Sequence, residues 1–426
     1  MWEGTTLNIT KESTGTLEAI GNNGSAGIGG DYNYNTTTYH HPGTINIEGG
    51  TVTAFGGADG AGIGGGYHSN GGAVTISGGT VTATSGTNGA GIGGGDHSTN
   101  GTVTISGGTV TVTPFNYGAS IGGGYMNKGG TVTIDGNAVV FATPTGRDSI
   151  GNGAEGKGAT VYRKQGIVFK GNTGNVYGNV TLQDNLTLPG DKNLTISSGN
   201  TLTIPKDITF TSNAILFLDG GSIAGDGTIK GNRYFETSIT SEDIADIPDQ
   251  VYHGTAITPA VTVKSPRNIL GQNFMVTTAG FTKSYENNEG IGIAKVVYTR
   301  LGYPTVEKPF NIVKSGTTFE SLATYIGTTP AKSFTYGETI TVRAKPKATG
   351  TAANGAKALT PPGDNQMALF LGDTQISDAM GPDRRGEYIM TYNTTGKVLP
   401  PGYNTITAKY VGNDTMADAT GDVSVT

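Results

Sequence analysis

The sequence predicts an all-β protein: a right-handed parallel β-helix followed by two β-sandwich domains. Three observations carry this. Apolar columns recur every 29 residues, the stretches between glycine pairs alternate with period two, and no stretch has the apolar spacing of a helix.

Aligning the chain on its Gly-Ile-Gly-Gly blocks puts Ile63, Ile92, Ile121 and Ile150 in one column. Ile47, Ile76, Ile105 and Ile134 form a second, Val52, Val81, Val110 and Val139 a third, and Ile45, Val74, Val103 and Val132 a fourth. Runs such as TVTISGGTVT are rich in β-branched residues and separated by Gly-Gly pairs that can take positive φ, so they read as short strands joined by tight turns. One such repeat cannot bury its own apolar face. Stacking can, with equivalent residues about 4.8 Å apart along an axis and the columns turned inward. Ile28 belongs to the first column but precedes Ile63 by 35 residues, so DYNYNTTTYHHPG reads as a loop protruding from one coil.

The 29-residue repeats occupy 43–158 within a β-helix of 1–240. Beyond them stand the triplets LTL (186–188), LTI (194–196), LTI (202–204), ITF and LFL, about eight residues apart, as expected for three faces of shorter coils over 159–235. An open coil exposes strand edges, and the stretch from Trp2 to Ile20 is expected to cap one end. From Ile247 the repeats vanish, and short alternating strands between Asn, Gly and Pro turns point to β-sandwiches at 241–314 and 315–426.

Composition removes several function classes. The net charge is −6 with no cluster of Lys or Arg, so the footprint of a nucleic-acid binder is missing. No apolar run reaches the ~18 residues of a membrane span. No signal peptide precedes Trp2, and Thr426 ends without a sorting signal, so the chain is expected to be a segment of something longer. Zero cysteines exclude a disulfide scaffold and a cysteine metal site while leaving the compartment open.

Tyr252, Gly254, Ile257, Pro259, Val261 and Val263 spell Y-x-G-x-x-I-x-P-x-V-x-V, and in this the middle stretch resembles bacterial Ig-like modules. The last stretch, with SFTYGETITVRAKPKATG near its start and PGYNTITAKYVGN near its end, is similar to another bacterial Ig-like type. Through ISGGT-x-T-x-T and GAGIGGG, the region from Gly43 to Gly153 resembles glycine-rich repeat regions of large surface proteins from anaerobic, mostly gut-dwelling Gram-positive bacteria. More distantly it resembles the carbohydrate-binding β-helix proteins of cellulolytic and pectin-degrading relatives. The resemblance implies a secreted or wall-displayed protein in which the Ig-like modules are a spacer.

Several chemistries can be weighed on the residues. A phosphate-cradling reading of GIGGG needs a helix to follow, and YHSNGGAVTIS is turn then strand. GGGDHSTNG lacks the nine-residue aspartate period of calcium-binding repeats, although calcium between coils, held by carboxylates and turn carbonyls, stays open as the one cofactor. Asp31, Glu48, Asp59, Asp96 and Asp135 occupy different repeat positions, and no Lys or Arg lies between Lys11 and Lys128. A polysaccharide lyase or hydrolase, which needs facing carboxylates or a cationic base, is therefore hard to assemble. Threonine rows at Thr51 and Thr53, Thr80 and Thr82, and Thr109 and Thr111 resemble ice-binding arrays but suit any solvent-facing strand.

The residue after Gly-Gly-Gly is more informative. Tyr32, Tyr67 and Tyr125 share one column with Asp96, and His68 and His97 are stacked beside them. Tyr34, Tyr39, His40 and His41 lie in the inserted loop, and Asn70, Asn100 and Asn127 in the neighbouring turns. Rings flanked by amides suit sugars, whose C–H faces stack on aromatics while hydroxyls bond polar groups. A metal site at the paired histidines lacks an evident third ligand. The expected protein is a monomeric, non-catalytic, extracellular cell-surface adhesin or carbohydrate-binding segment. Its partner is a polysaccharide or host glycan, and its ligand residues are Tyr32, Tyr34, Tyr39, Tyr67, His68, Asp96, His97 and Tyr125. A purely structural stalk is the alternative.

Overall fold

The computed structural model describes residues 3–33, 38–99, 101–144, 149–231, 235–349, 366–395, 399, 402–412 and 416–426. They fall into two compact units, one of 1–239 with 264–279 and one of 240–263 with 280–426. Among the described residues no helix is long and apolar enough to cross a membrane.

The first unit begins as a parallel β-helix with three faces. One face stacks Thr6–Ile9, Thr44–Ile47, Ala73–Ile76, Thr102–Ile105, Lys128–Ile134 and Lys157–Arg163. A second stacks Thr16–Ile20, Thr51–Phe55, Thr80–Thr84, Thr109–Thr113, Val139–Ala142 and Gly166–Lys170. The third is made of Ile-Gly pairs at 28–29, 63–64, 92–93, 121–122 and 150–151. The columns point inward as expected: Ile63, Ile92, Ile121, Ile47, Ile76, Ile105 and Ile134 are all fully buried. Each such side chain is worth roughly 1.5–3 kcal/mol on burial. The loop after Gly30 rises as an antiparallel ribbon, Asp31–Asn33 against Thr38–His40.

Glycine is obligatory on the third face. Gly64, Gly93, Gly122 and Gly151 have φ of 129°, 132°, 131° and 138°. A Cβ on Gly64, Gly93 or Gly122 would lie 2.1 Å from the carbonyl oxygen of the equivalent glycine in the next coil. The same carbonyls accept the N–H of Gly65, Gly94 and Gly123 at 2.8–2.9 Å, so the coils approach backbone to backbone here.

Three expectations change. First, residues up to Ile20 do not cap the helix: Thr6–Ile9 and Thr16–Ile20 pair with Thr44–Ile47 and Thr51–Phe55 and so form the first coil. Trp2 lies outside the described residues. Second, the third column breaks at its last member. Val110 pairs with Val140, not Val139, because the turn Asp135–Ala138 holds one extra residue. A shift of one residue turns a strand side chain to the opposite face, and Val139 joins Ile167 and Phe169 in a separate core.

That second core organises the rest of the unit. Gly166–Lys170 turns back through Gly171-Asn172 to pair antiparallel with Thr173–Tyr177. From there the second face continues in parallel through Asn193–Ser197, Leu216–Asp219 and Phe235–Ser238. Val140 and Val168 pack into the first core, whereas Ile167, Phe169, Val176, Leu194 and Leu216 pack into the second, on the other side of the same sheet. Strand direction and core side reverse together, and two reversals preserve the hand of the coil. The triplets form the predicted three faces, with Leu186, Leu188, Leu194, Ile196, Leu202 and Ile204 buried. Their coils are shorter: Leu194 stacks on Leu216, 22 residues on, against 29 in the first solenoid.

Third, the middle sandwich is not formed. Lys264–Ala279 leaves it and adds Gln272–Thr277 and Arg267–Ile269 to the end of the long sheet. There Phe274 stacks on Phe235 at 5.1 Å and closes the second core. Among the described residues the remainder is a single four-stranded sheet of Gln250–Val251, Val306–Val313, Gly292–Thr299 and Thr282–Glu286. The last stretch is a two-sheet β-sandwich: two four-stranded antiparallel sheets enclose one core that includes Ile340, Val342, Leu369, Tyr388, Ile406 and Tyr410.

Gly93→Ala combines a disfavoured φ with a backbone clash and is expected to cost upwards of about 2 kcal/mol. Gly15→Ala, where nothing lies within 4 Å of the added carbon, is expected to fall within about 0.5 kcal/mol of the parent. Urea or thermal unfolding of the two variants checks this, and equal stabilities would contradict the close-approach account.

Candidate functional site

The Ile-Gly strands are flanked by two turns, one before and one after, and the turns of successive coils are hydrogen-bonded to each other. Tyr67 N–H donates to the Gly24 carbonyl (2.7 Å), Asp96 N–H to Asp59 (2.8 Å) and Tyr125 N–H to Asn88 (2.7 Å). In the reverse direction His68 N–H donates to the Asp96 carbonyl (3.0 Å) and His97 N–H to that of Tyr125 (2.9 Å). These bonds fix each turn side chain one coil from its equivalent. His68, His97, Met126 and Glu155 have φ of 54°, 50°, 49° and 58°. A left-handed residue therefore closes the turn in four successive coils, a conformation sparsely populated outside glycine.

The rings form a continuous row. Tyr32 meets Tyr67 edge-on at 5.0 Å, Tyr67 meets His68 at 4.2 Å, and His68 stacks on His97 at 5.2 Å with planes 30° apart. His97 meets Tyr125 at 5.9 Å, and Tyr125 meets Tyr117 at 5.4 Å. At the upper end Tyr39 is opposite Tyr32 in the ribbon, half exposed, and 5.6 Å from His41. Tyr34 and Asn100 lie outside the described residues. Tyr117 was missed by sequence reasoning because its column reads Asp59, Asn88, Tyr117 and shows no repeated residue type.

Two expectations about the polar groups are corrected. Asp96 does not face outward: it is 5% exposed, its Oδ1 lies 2.6 Å from His97 Nδ1, and its Oδ2 accepts from Asn88 Nδ2 at 3.3 Å. It braces His97 from within. The asparagines do not line the rings either. Asn127 is buried and donates to the Ser98 hydroxyl, while Asn70 accepts the Thr99 hydroxyl and gives its N–H to His41 Nδ1 at 2.9 Å. Inward-facing Ser69, Ser98 and Asn127 occupy one column, so these amides and hydroxyls tie coil to coil.

Burial pushes the Asp96 carboxyl above the ordinary 3.8, and repulsion from Asp59 adds to it, while His97 pulls it partly back. Burial, then Asp96, Asp59 and Tyr32, raise the Tyr67 phenol, which keeps its hydroxyl hydrogen at neutral pH. Among the described residues no group of three or more His, Asp or Glu is placed to hold a metal ion.

A family model for the β-helix repeat matches residues 45–67, 74–96 and 103–125. Each match starts on an inward residue of the first face and ends on Tyr67, Asp96 or Tyr125, one residue before His68, His97 or Met126. No curated protein and no solved structure matches the chain. Sequence period, parallel stacking and the repeat match agree that the chain contains a β-helix repeat domain.

Since the folded state holds the Asp96 proton more tightly than the unfolded chain does, protonation stabilises the fold. That gain is complete below 3.8 and is lost as pH rises through the raised value. The stability of the parent relative to Asp96→Asn is therefore expected to be flat above the raised value and to rise as pH falls through it towards 3.8. Denaturant unfolding at a series of pH values measures it; a difference that falls on acidification would contradict the assignment.

Proposed function

We propose that the ring row is a non-catalytic platform for an extended polysaccharide or host glycan, on a protein displayed outside the cell. The observation that carries this reading is the unbroken contact of Tyr32, Tyr67, His68, His97, Tyr125 and Tyr117 across four successive coils. Three coil steps of about 4.8 Å make a strip about 14 Å long, which suits a linear ligand. Ring faces take sugar C–H surfaces, and the tyrosine hydroxyls and imidazole nitrogens take sugar hydroxyls.

Charge narrows the ligand. Asp31 and Asp59 lie beside the row, and no Lys or Arg occurs between Lys11 and Lys128, which disfavours sulfated or uronate chains and favours neutral ones. Binding is favoured over catalysis because both oxygens of Asp96 are engaged within the protein and its side chain is only 7% exposed. The second unit, with its β-sandwich, is read as Ig-like and as a spacer. The match to the β-helix repeat supports the architecture of the platform and leaves its ligand to experiment.

The test is a glycan array with neutral β-linked oligosaccharides, mucin-type glycans and polygalacturonate as probes. Neutral probes are expected to bind, and Tyr67→Ala with Tyr125→Ala to weaken binding by about tenfold or more. Tyr162→Ala, half exposed on a different face, is expected to leave it unchanged. Absence of binding to every probe, or equal loss with Tyr162→Ala, would overturn the platform.

A further inference from the structure

Behind the rings runs a row of polar side chains that aromatic packing does not require. Asn88, half-buried, directs one amide nitrogen at two carboxylates: Nδ2 lies 2.7 Å from Asp59 Oδ1 and 3.3 Å from Asp96 Oδ2. The other oxygen of Asp96 lies 2.6 Å from His97 Nδ1. Three turns from two adjacent coils therefore supply one chain of contacts, Asp59 to Asn88 to Asp96 to His97. An ionised carboxylate only accepts hydrogen bonds, so the hydrogen between Asp96 and His97 belongs to Nδ1. The other tautomer would set two lone pairs against each other at 2.6 Å. A neutral imidazole with hydrogen on Nδ1 has a bare acceptor at Nε2. The His97 side chain is 36% exposed.

We propose that Asp59, Asn88 and Asp96 are positioning residues that hold His97 as its Nδ1–H tautomer, so that Nε2 faces the ligand as a hydrogen-bond acceptor for a sugar hydroxyl. The ligand half of this rests on the carbohydrate reading above; the tautomer half does not. The chain contains its own control. His68 occupies the same column one coil earlier with the same left-handed backbone, but Tyr67 precedes it where Asp96 precedes His97. Asp96 thus gives His97 a fixed donor direction that Tyr67 cannot give His68. His41 is set the opposite way, since its Nδ1 accepts the Asn70 N–H and its hydrogen must sit on Nε2.

The experiment is long-range proton–nitrogen spectroscopy of the histidine-labelled full chain at pH 8, above the ordinary imidazole range. Resonances are assigned with His68→Gln and His97→Gln. The expected result is a protonated Nδ1 and bare Nε2 at His97, the reverse at His41, and an exchanging mixture at His68. Asp96→Ala is expected to return His97 to the His68 pattern, and Asn88→Ala to move it part of the way. A His97 protonated on Nε2 in the parent overturns the proposal whether or not the variants fold, as does a pattern unchanged in folded Asp96→Ala. Binding is then measured with the neutral oligosaccharide that gives the strongest array signal. Asp96→Ala is expected to weaken it roughly five- to tenfold, the worth of one hydrogen bond. An unchanged affinity overturns the ligand-facing role of Nε2. No binding by the parent overturns the carbohydrate reading and leaves the tautomer spectra to decide the relay.

Discussion

The structure depends on how closely one coil can lie on the next. On the Ile-Gly face the backbones stack with no room for a side chain: a Cβ on Gly93 would lie 2.1 Å from the Gly122 oxygen. Flat stacking there holds the parallel strands of the other two faces in register and leaves the buried Ile and Val columns directly above one another. Apolar burial supplies the driving force, but it is non-directional. The register comes from the glycine contacts and the hydrogen bonds that pass between them, which is why so much of the chain is spent on glycine.

A strand has two faces, and the molecule uses both where the register slips. On Thr80–Thr84 and Thr109–Thr113 the outer side of the second face is threonine; from Val139 onward it carries Val139, Phe141, Ile167 and Phe169. The extra residue in the turn Asp135–Ala138 makes this change by rotating the strand pattern through one position. The hairpin at Gly171-Asn172 then reverses the chain so that the following coils close over the newly apolar side. Phe141 stacked on Phe169 at 4.8 Å marks the junction, and Phe274 from a later segment finishes the core. One sheet thereby serves two solenoids.

The same register builds the ring row. No single coil contains it: Tyr32, Tyr67, His97 and Tyr125 come from four coils, and the acid that braces His97 is itself held by an amide from the turn beside it. A site of this kind is as long as the number of coils that contribute to it, and its polarity is set turn by turn. The buried Asp96 breaks a tyrosine column, and in exchange it orients the histidine beside it.

Period and residue type were enough to read the inward columns, the parallel stacking, the protruding loop and the short triplet coils, because a solenoid contact joins residues a fixed distance apart in sequence. The Tyr32, Tyr67, Tyr125 and His68, His97 columns were legible for the same reason. What only the tertiary structure decided depends on departures from the period or on partners outside it. Val139 faces the second core because of one inserted residue. Lys264–Ala279 leaves the middle stretch because an open sheet end with an apolar face has strand pairing to offer it. Tyr117 joins the row from a column of unlike residues, and Asp96 turns inward because Asn88 and His97 satisfy both its oxygens. A repeat fixes where a residue stands along the axis; which way its side chain turns is settled by the hydrogen bonds and packing it finds there.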